Sequence, residues 1–292
     1  MDLILQLISN VLIPGLLFAL IAAGFSLTYS VTRVLHLANG GVVIVAGYGF
    51  YTGYSLWHWP IWSASLLAIA IAILTGLFIN AQIHERMREH GIVSAAGMLV
   101  ATISVLLIIQ NILLAIFGSA PKSFADLQGT VHEFGPVIFT DHEIRILVLI
   151  PILLIIFILL LKKTKTGKAL RAVADHEQVA EVVGIASRKM RMLAFGISSF
   201  LAGIAGILFA IEYNLDPSMG IMITVRMIFR AILGGVGSIG GAILGSLSTE
   251  TIVALTGYYW NVSWVDFSSF LLTFVVLLIR PNGILGKKKR IV

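Results

Sequence analysis

The 292-residue sequence contains no cysteine, and only 12% of its residues are charged. Without cysteine there is no disulfide framework, no thiolate metal ligand and no cysteine nucleophile. A soluble domain carries about 25% charged and roughly 45–50% apolar residues. Charge this sparse, beside 58% hydrophobic residues and a mean hydropathy of +1.00, excludes a soluble enzyme, a disordered tail and a nucleic-acid binder. The net charge of +6 makes no basic face. Its cations gather in short intervals between long apolar runs, the pattern of a polytopic membrane protein.

A bilayer core of about 30 Å takes about 20 apolar residues per helix. Runs near 7–30, 41–57, 61–80, 92–117, 144–161, 190–212, 226–256 and 265–280 give about eight hydrophobic segments. The expected fold is all-α, one transmembrane domain over residues 1–292. The first run has no Lys or Arg before it and reads as a retained helix rather than a signal peptide. Lys162, Lys163, Lys165, Lys168, Arg171, Arg188, Lys189 and Arg191 place the loop at about 162–191 in the cytoplasm. Arg280, Lys287, Lys288, Lys289 and Arg290 place the C-terminal tail there too, and the N-terminus, with no cation before Arg33, is expected outside. Eight full crossings would return the tail to the outside, so one segment crosses twice or not at all. The segment 226–256, interrupted by Gly234, Gly235, Gly237, Gly240 and Gly241, is read as a broken or re-entrant helix pair with Thr224 and Tyr258 both outside.

A second glycine-rich interruption lies at 36–49. Paired breaks in the two halves of a transporter point to an internal repeat and a solute path. The candidate path residues are His36, Asn39 and Gly40 in the first break and Gly235 and Gly237 in the second. Gln110 and Asn111 join them because they interrupt an apolar helix, and Glu250 because it is an ionisable group inside a span. Small residues four apart, such as Ser199/Gly203, Ala202/Gly206 and Gly241/Gly245, read instead as close helix packing. Trp57, Trp59 and Trp62 around Pro60 form an aromatic belt.

Other motifs carry no chemistry. Gly235-Val-Gly-Ser-Ile-Gly240 matches a dinucleotide fingerprint, but an apolar helix precedes it and Trp260 stands where an acidic residue belongs. There is no P-loop, and none of the seven histidines has HExxH spacing, so neither a cofactor nor a metal is expected. Glu85 to Glu89, between His84 and His90, reads as a solvated turn. The stretch 166–185 is cytoplasmic and helical by composition, with Asp175 and Gln178 at capping-box spacing for a helix ending near Gly184. Leu170, Val173, Ala174, Ala180 and Val183 give it an apolar stripe, the mark of a docking surface for another protein.

These stretches carry a resemblance. Ala180 and Gly184 keep the alanine-to-glycine spacing of the coupling segment of ABC importer permeases, although Gln178 and Val179 stand where that motif has Glu and Ala. The chain more specifically resembles the high-affinity branched-chain amino acid permeases of the LivH type. The match runs through 24–41 (GFSLTYSVTRVLHLANGG), 166–185, 195–210, 231–245 (AILGGVGSIGGAILG) and 277–286 (LLIRPNGILG), in family order over nearly the whole chain. The family's usual Asn-Phe-Ala-His-Gly is here His36-Leu37-Ala38-Asn39-Gly40, with the two polar residues exchanged.

The resemblance implies an inner-membrane permease subunit and no enzyme. It would pass a small solute, most simply a branched-chain or hydrophobic amino acid. Its partners would be two cytoplasmic ATPase subunits that bind the ATP, a second homologous permease and a periplasmic binding protein. Gly167, Leu170, Arg171, Ala174, Asp175, Ala180 and Gly184 would belong to the ATPase-coupling loop. A permease for urea, short amides or a sugar, and a secondary carrier, are the alternatives.

Overall fold

The computed structural model describes residues 2–91, 94–134 and 137–286. The tail cations Lys287 to Arg290 therefore lie outside the described residues. The long helices are α1 (Asp2–Thr32), α2 (Asn39–Tyr51), α3 (Ile61–Ile79), α4 (Ala95–Phe117) and α5 (Asp141–Lys163). Two short helices follow, α6 (Lys165–Asp175) and α7 (Glu177–Val182), then α8 (Ser187–Tyr213), α9 (Met219–Gly234), α10 (Ile239–Tyr259) and α11 (Val265–Ile279). π-helical turns extend α2 through Thr52–Leu56 and α3 through Asn80–Glu85. Between α4 and α5 lies a feature absent from an all-α expectation, an antiparallel hairpin of β1 (Val131–Phe134) and β2 (Val137–Thr140), with Val131 paired to Thr140.

Seven helical stretches among the described residues are long and apolar enough to cross a membrane, and the shorter α2 and α9 complete the bundle. Burial separates them. α1 and α8 are 83% and 78% buried over their apolar windows, whereas α3 and α4 reach only 22%. The first two are therefore the axis, and the others wrap around them. Lipid gives no hydrophobic reward for helix association, so close approach depends on small residues. On α3, Ala64, Ala68, Ala72 and Gly76 recur every fourth position and are all buried. Gly53 faces Ala64, Gly49 faces Ala68, Gly203 faces Ala72 and Gly76 faces Ser199.

The glycine run of 226–256 is the turn of a helix pair, in line with its reading as broken. α9 and α10 are antiparallel, with Gly234 against Gly241 and Gly245 against the Arg230 carbonyl. The turn between them uses left-handed Gly235 (φ 105°) and Gly237 (φ 86°), a conformation costly for other residues. The segment is thus an antiparallel helix pair, of which α10 is long and apolar enough to cross a membrane. The motif at 280–286 returns to the same turn, where Ile284 and Leu285 N–H donate to the Leu233 and Gly234 carbonyls at 2.9 Å each. Thr224, expected outside, is instead buried in the middle of α9.

Candidate functional site

Two helices are broken, and the breaks are alike. α1 ends at Thr32, Arg33 turns left-handed (φ 59°), and the chain runs without helix to Asn39. α8 ends at Tyr213, Asn214 turns left-handed (φ 61°), and the chain reaches α9 at Met219. The counterpart of the first break is therefore 214–218 rather than the glycine run. The glycines of 40–49 are helical, and the interruption lies just before them.

α2 and α9 cross where they begin. Gly40 lies against Thr224 and the Gly220 carbonyl so closely that a Cβ would overlap both. Unwound backbone at membrane depth needs partners from protein, and side chains supply them. Thr224 Oγ1 lies 3.1 Å from the Leu37 carbonyl and 2.7 Å from the Gly220 carbonyl, and Leu37 N–H donates to Thr102 Oγ1 at 3.4 Å. Gln110 Nε2 donates to the Pro217 carbonyl at 2.9 Å, and Asn39 Nδ2 reaches the Met227 sulfur at 3.3 Å. Asn39, Gly40 and Gln110 therefore meet at one crossing. Thr102, Gly220, Thr224 and Met227 belong with them, and sequence reasoning missed all four because they resemble ordinary helix content.

The other candidates lie elsewhere. Gly235 and Gly237 sit beside Gly286 and Ser30, about 12 Å beyond Met227 at a rise of 1.5 Å per residue. Asn111 is exposed and turns back to the Leu107 carbonyl at 2.8 Å. Glu250 forms a buried ion pair with Arg230, whose guanidinium lies 3.7 Å from the Phe18 ring centroid, joining α1, α9 and α10. His36 and His84 share a hydrogen bond at 3.2 Å, with the Phe195 ring against both.

The basic loop at 162–191 is built on the bundle rather than free of it. Thr164 caps α6 by accepting from Gly167 N–H at 2.9 Å, and Gly167 lies under the Leu160 and Leu161 carbonyls. Of the expected docking stripe, Leu170, Val173 and Ala180 are buried in the core, Ala174 is half-buried and Val183 is exposed. The exposed apolar face is Val179, Val182 and Val183. Asp175 ends α6, and no side chain caps α7, so the expected capping box does not form. Left-handed Gly184 closes α7, and Ile185 N–H donates back to the Ala180 carbonyl at 2.9 Å. Arg171 Nε points to the Gly167 carbonyl at 3.4 Å.

This loop holds the first break. The Arg33 guanidinium donates to the Ala174 carbonyl. Arg88 joins the Thr32 carbonyl (2.8 Å) to Glu177 (3.3 Å), and Arg191 joins Glu177 to Glu85. Glu85 is buried, which corrects its reading as part of a solvated turn; Arg191 binds both of its oxygens, at 2.7 and 2.9 Å. The second break is strapped likewise. Lys122 and Leu215 exchange two backbone hydrogen bonds of 2.9 and 2.8 Å, tying the loop between α4 and α5 to 214–218.

Comparison with known proteins agrees with this architecture. Residues 7–279 match the family model described as branched-chain amino acid transport system, permease component. The chain is 28% identical to the high-affinity branched-chain amino acid transport system permease protein LivH of Escherichia coli K12, over 97% of this chain and 96% of that one. It is 29% identical to the autoinducer 2 import system permease protein LsrC of an Enterobacter strain, over 91% and 78%. In structure it resembles PsaBC of Streptococcus pneumoniae, solved with a Fab, at a TM-score of 0.55 and 16% identity, covering 95% of this chain and 93% of that one. At that identity the likeness concerns the fold alone.

Proposed function

This chain belongs to the branched-chain amino acid transport system permease family, as a multi-pass ABC importer permease and not an enzyme, and we propose that it passes branched-chain or other hydrophobic amino acids inward across the bacterial inner membrane. The observation that carries the reading is the pair of breaks. One is strapped to a loop on the outer side and the other to the cytoplasmic loop, and their helices cross at a polar point among apolar walls such as Val42 and Val43.

In this reading the chain moves a solute by rearranging contacts. A periplasmic binding protein presses on the outer loop, and the Lys122–Leu215 strap carries the displacement to 214–218. Cytoplasmic ATPase subunits dock on Val179, Val182 and Val183. Their movement reaches the inner break through Ala174 and Arg33, and through Glu177, Arg88 and the end of α1. A second homologous permease completes the path. An ATPase site belongs to the partners.

The LivH relatives match nearly end to end and favour amino acids. The LsrC relatives favour a second reading, in which a different small solute uses the same fold. Proteoliposomes holding the complete transporter test both. ATP-dependent uptake of labelled leucine, isoleucine or valine supports the first, and uptake of another solute without these supports the second.

A further inference from the structure

We propose that a furrow on the lipid-facing side of α3, α5 and α8 holds one anionic phospholipid, with its phosphate between Lys163 and Lys189 and an acyl chain along the furrow. The inference goes beyond the transport reading and holds for either class of solute.

The furrow has a volume of about 400 Å³ and an entirely apolar lining. Leu77 of α3, Ile156 and Leu160 of α5, and Met192, Gly196 and Phe200 of α8 are among its walls. Ile156, Met192 and Phe200 are exposed, so the furrow is open to the membrane. At Gly196 an added Cβ would meet only Leu77, at 3.7 Å, which leaves room where a side chain would stand.

The furrow runs toward the basic end of the bundle. Lys163 follows Leu160 by three positions, and Lys189 precedes Met192 by three, so each lysine continues the helix face that lines the furrow. Phe200 lies eleven positions from Lys189. At 1.5 Å per residue that is about 16 Å, close to half of a hydrocarbon core of about 30 Å. The furrow therefore has the depth of one leaflet.

Both lysines are exposed and, among the described residues, form no ion pair, whereas the neighbouring Arg188 pairs with Glu85 (3.8 Å) and Glu89 (3.1 Å). Lys162, Lys165 and Lys168 are exposed in the same stretch and also form no ion pair among the described residues. Cations clustered directly after a span attract anionic headgroups, and a phosphate accepts from two ammonium groups at once. A second furrow, between α10 and α11, ends at Tyr259 and Trp260 with no cation in its lining, and it offers nothing to an anionic head. An ATPase subunit can reach the lysines but not a furrow at hydrocarbon depth. A lipid with a negative head satisfies both parts.

The test titrates the purified complete transporter in detergent with phosphatidylglycerol or phosphatidylcholine, and counts bound lipid by native mass spectrometry. The wild type should retain one phosphatidylglycerol per permease chain more tightly than phosphatidylcholine. Lys163→Gln and Lys189→Gln should each weaken that binding by about fivefold, the scale of one lysine at an anionic surface, and leave phosphatidylcholine binding unchanged. Gly196→Leu fills the furrow and should remove the retained lipid with both lysines in place. Melting temperature and co-purification of the ATPase subunits check each variant. Equal retention of the two lipids by the wild type, or undiminished phosphatidylglycerol binding in the double lysine variant, would overturn the proposal. Loss of ATPase co-purification in the lysine variants with lipid binding intact would make the lysines a protein contact and overturn it as well. No retained lipid in the wild-type complex would mean that another chain covers the furrow, with the same consequence. If Gly196→Leu does not assemble, the lysine variants, both at exposed positions, decide alone.

Discussion

Replacing Val182 by Asp separates docking on the ATPase subunits from folding of the permease. Val182 is 86% exposed at the end of α7, so the change should alter the stability of the isolated permease by no more than about 0.5 kcal/mol. Covered by a partner, the same valine contributes about 1.5–3 kcal/mol of burial. At about 1.4 kcal/mol per factor of ten, its loss weakens ATPase binding by roughly 10- to 100-fold, before the cost of burying a carboxylate. The readouts are co-purification of the ATPase subunits and ATP hydrolysis stimulated by loaded binding protein, with the thermal melting of the permease as control. Ala180→Arg serves as contrast. Ala180 is 2% exposed, on the inward face of α7 and packed in the core, so that variant should lower the melting temperature of the permease itself. Normal coupling in Val182→Asp would refute the assignment of the exposed valine face.

Three further outcomes follow from the geometry. Glu250→Ala leaves the Arg230 guanidinium buried without its partner and should destabilise the protein by about 3–5 kcal/mol, read as lost yield or a lowered melting temperature in detergent. Gly40→Ala places a methyl group into Thr224 and the Gly220 carbonyl; uptake should fall and stability drop by about 1–3 kcal/mol, measured by transport and melting together. Single cysteines are informative in a chain that has none. Gly240→Cys, at the exposed start of α10, should react with an impermeant thiol reagent only from the cytoplasmic side, and Tyr258→Cys only from outside.

Much of this architecture is legible in the sequence, for physical reasons that also mark where legibility ends. Long apolar runs announce spans because the bilayer demands them, and the charge count required one segment to cross twice or not at all, with the glycine run marking 226–256 as the broken one. The first break was legible within a few residues, although the glycines after it serve helix packing. The second was not, because Asn214-Leu-Asp-Pro-Ser218 reads as an ordinary loop between two apolar helices. Its matching left-handed residue, Asn214 beside Arg33, becomes visible only as backbone geometry. The ionic bracket of the cytoplasmic loop was hidden because Glu85 and Arg191 lie 106 positions apart. No local pattern records such a pairing. The loop's apolar stripe was read as a docking surface for another protein, but the bundle itself covers Leu170, Val173 and Ala180.

The central claim is that solute passes where α2 and α9 cross, so that this crossing must open in each cycle. The most direct measurement joins it covalently. Asn39 and Met227 are in side-chain contact at 3.3 Å, and Asn39→Cys with Met227→Cys in the cysteine-free chain gives a pair that an oxidant can link. The oxidised double variant should lose ATP-dependent amino-acid uptake, and a reducing agent should restore it. Uptake by the linked protein at the rate of the reduced one would contradict it.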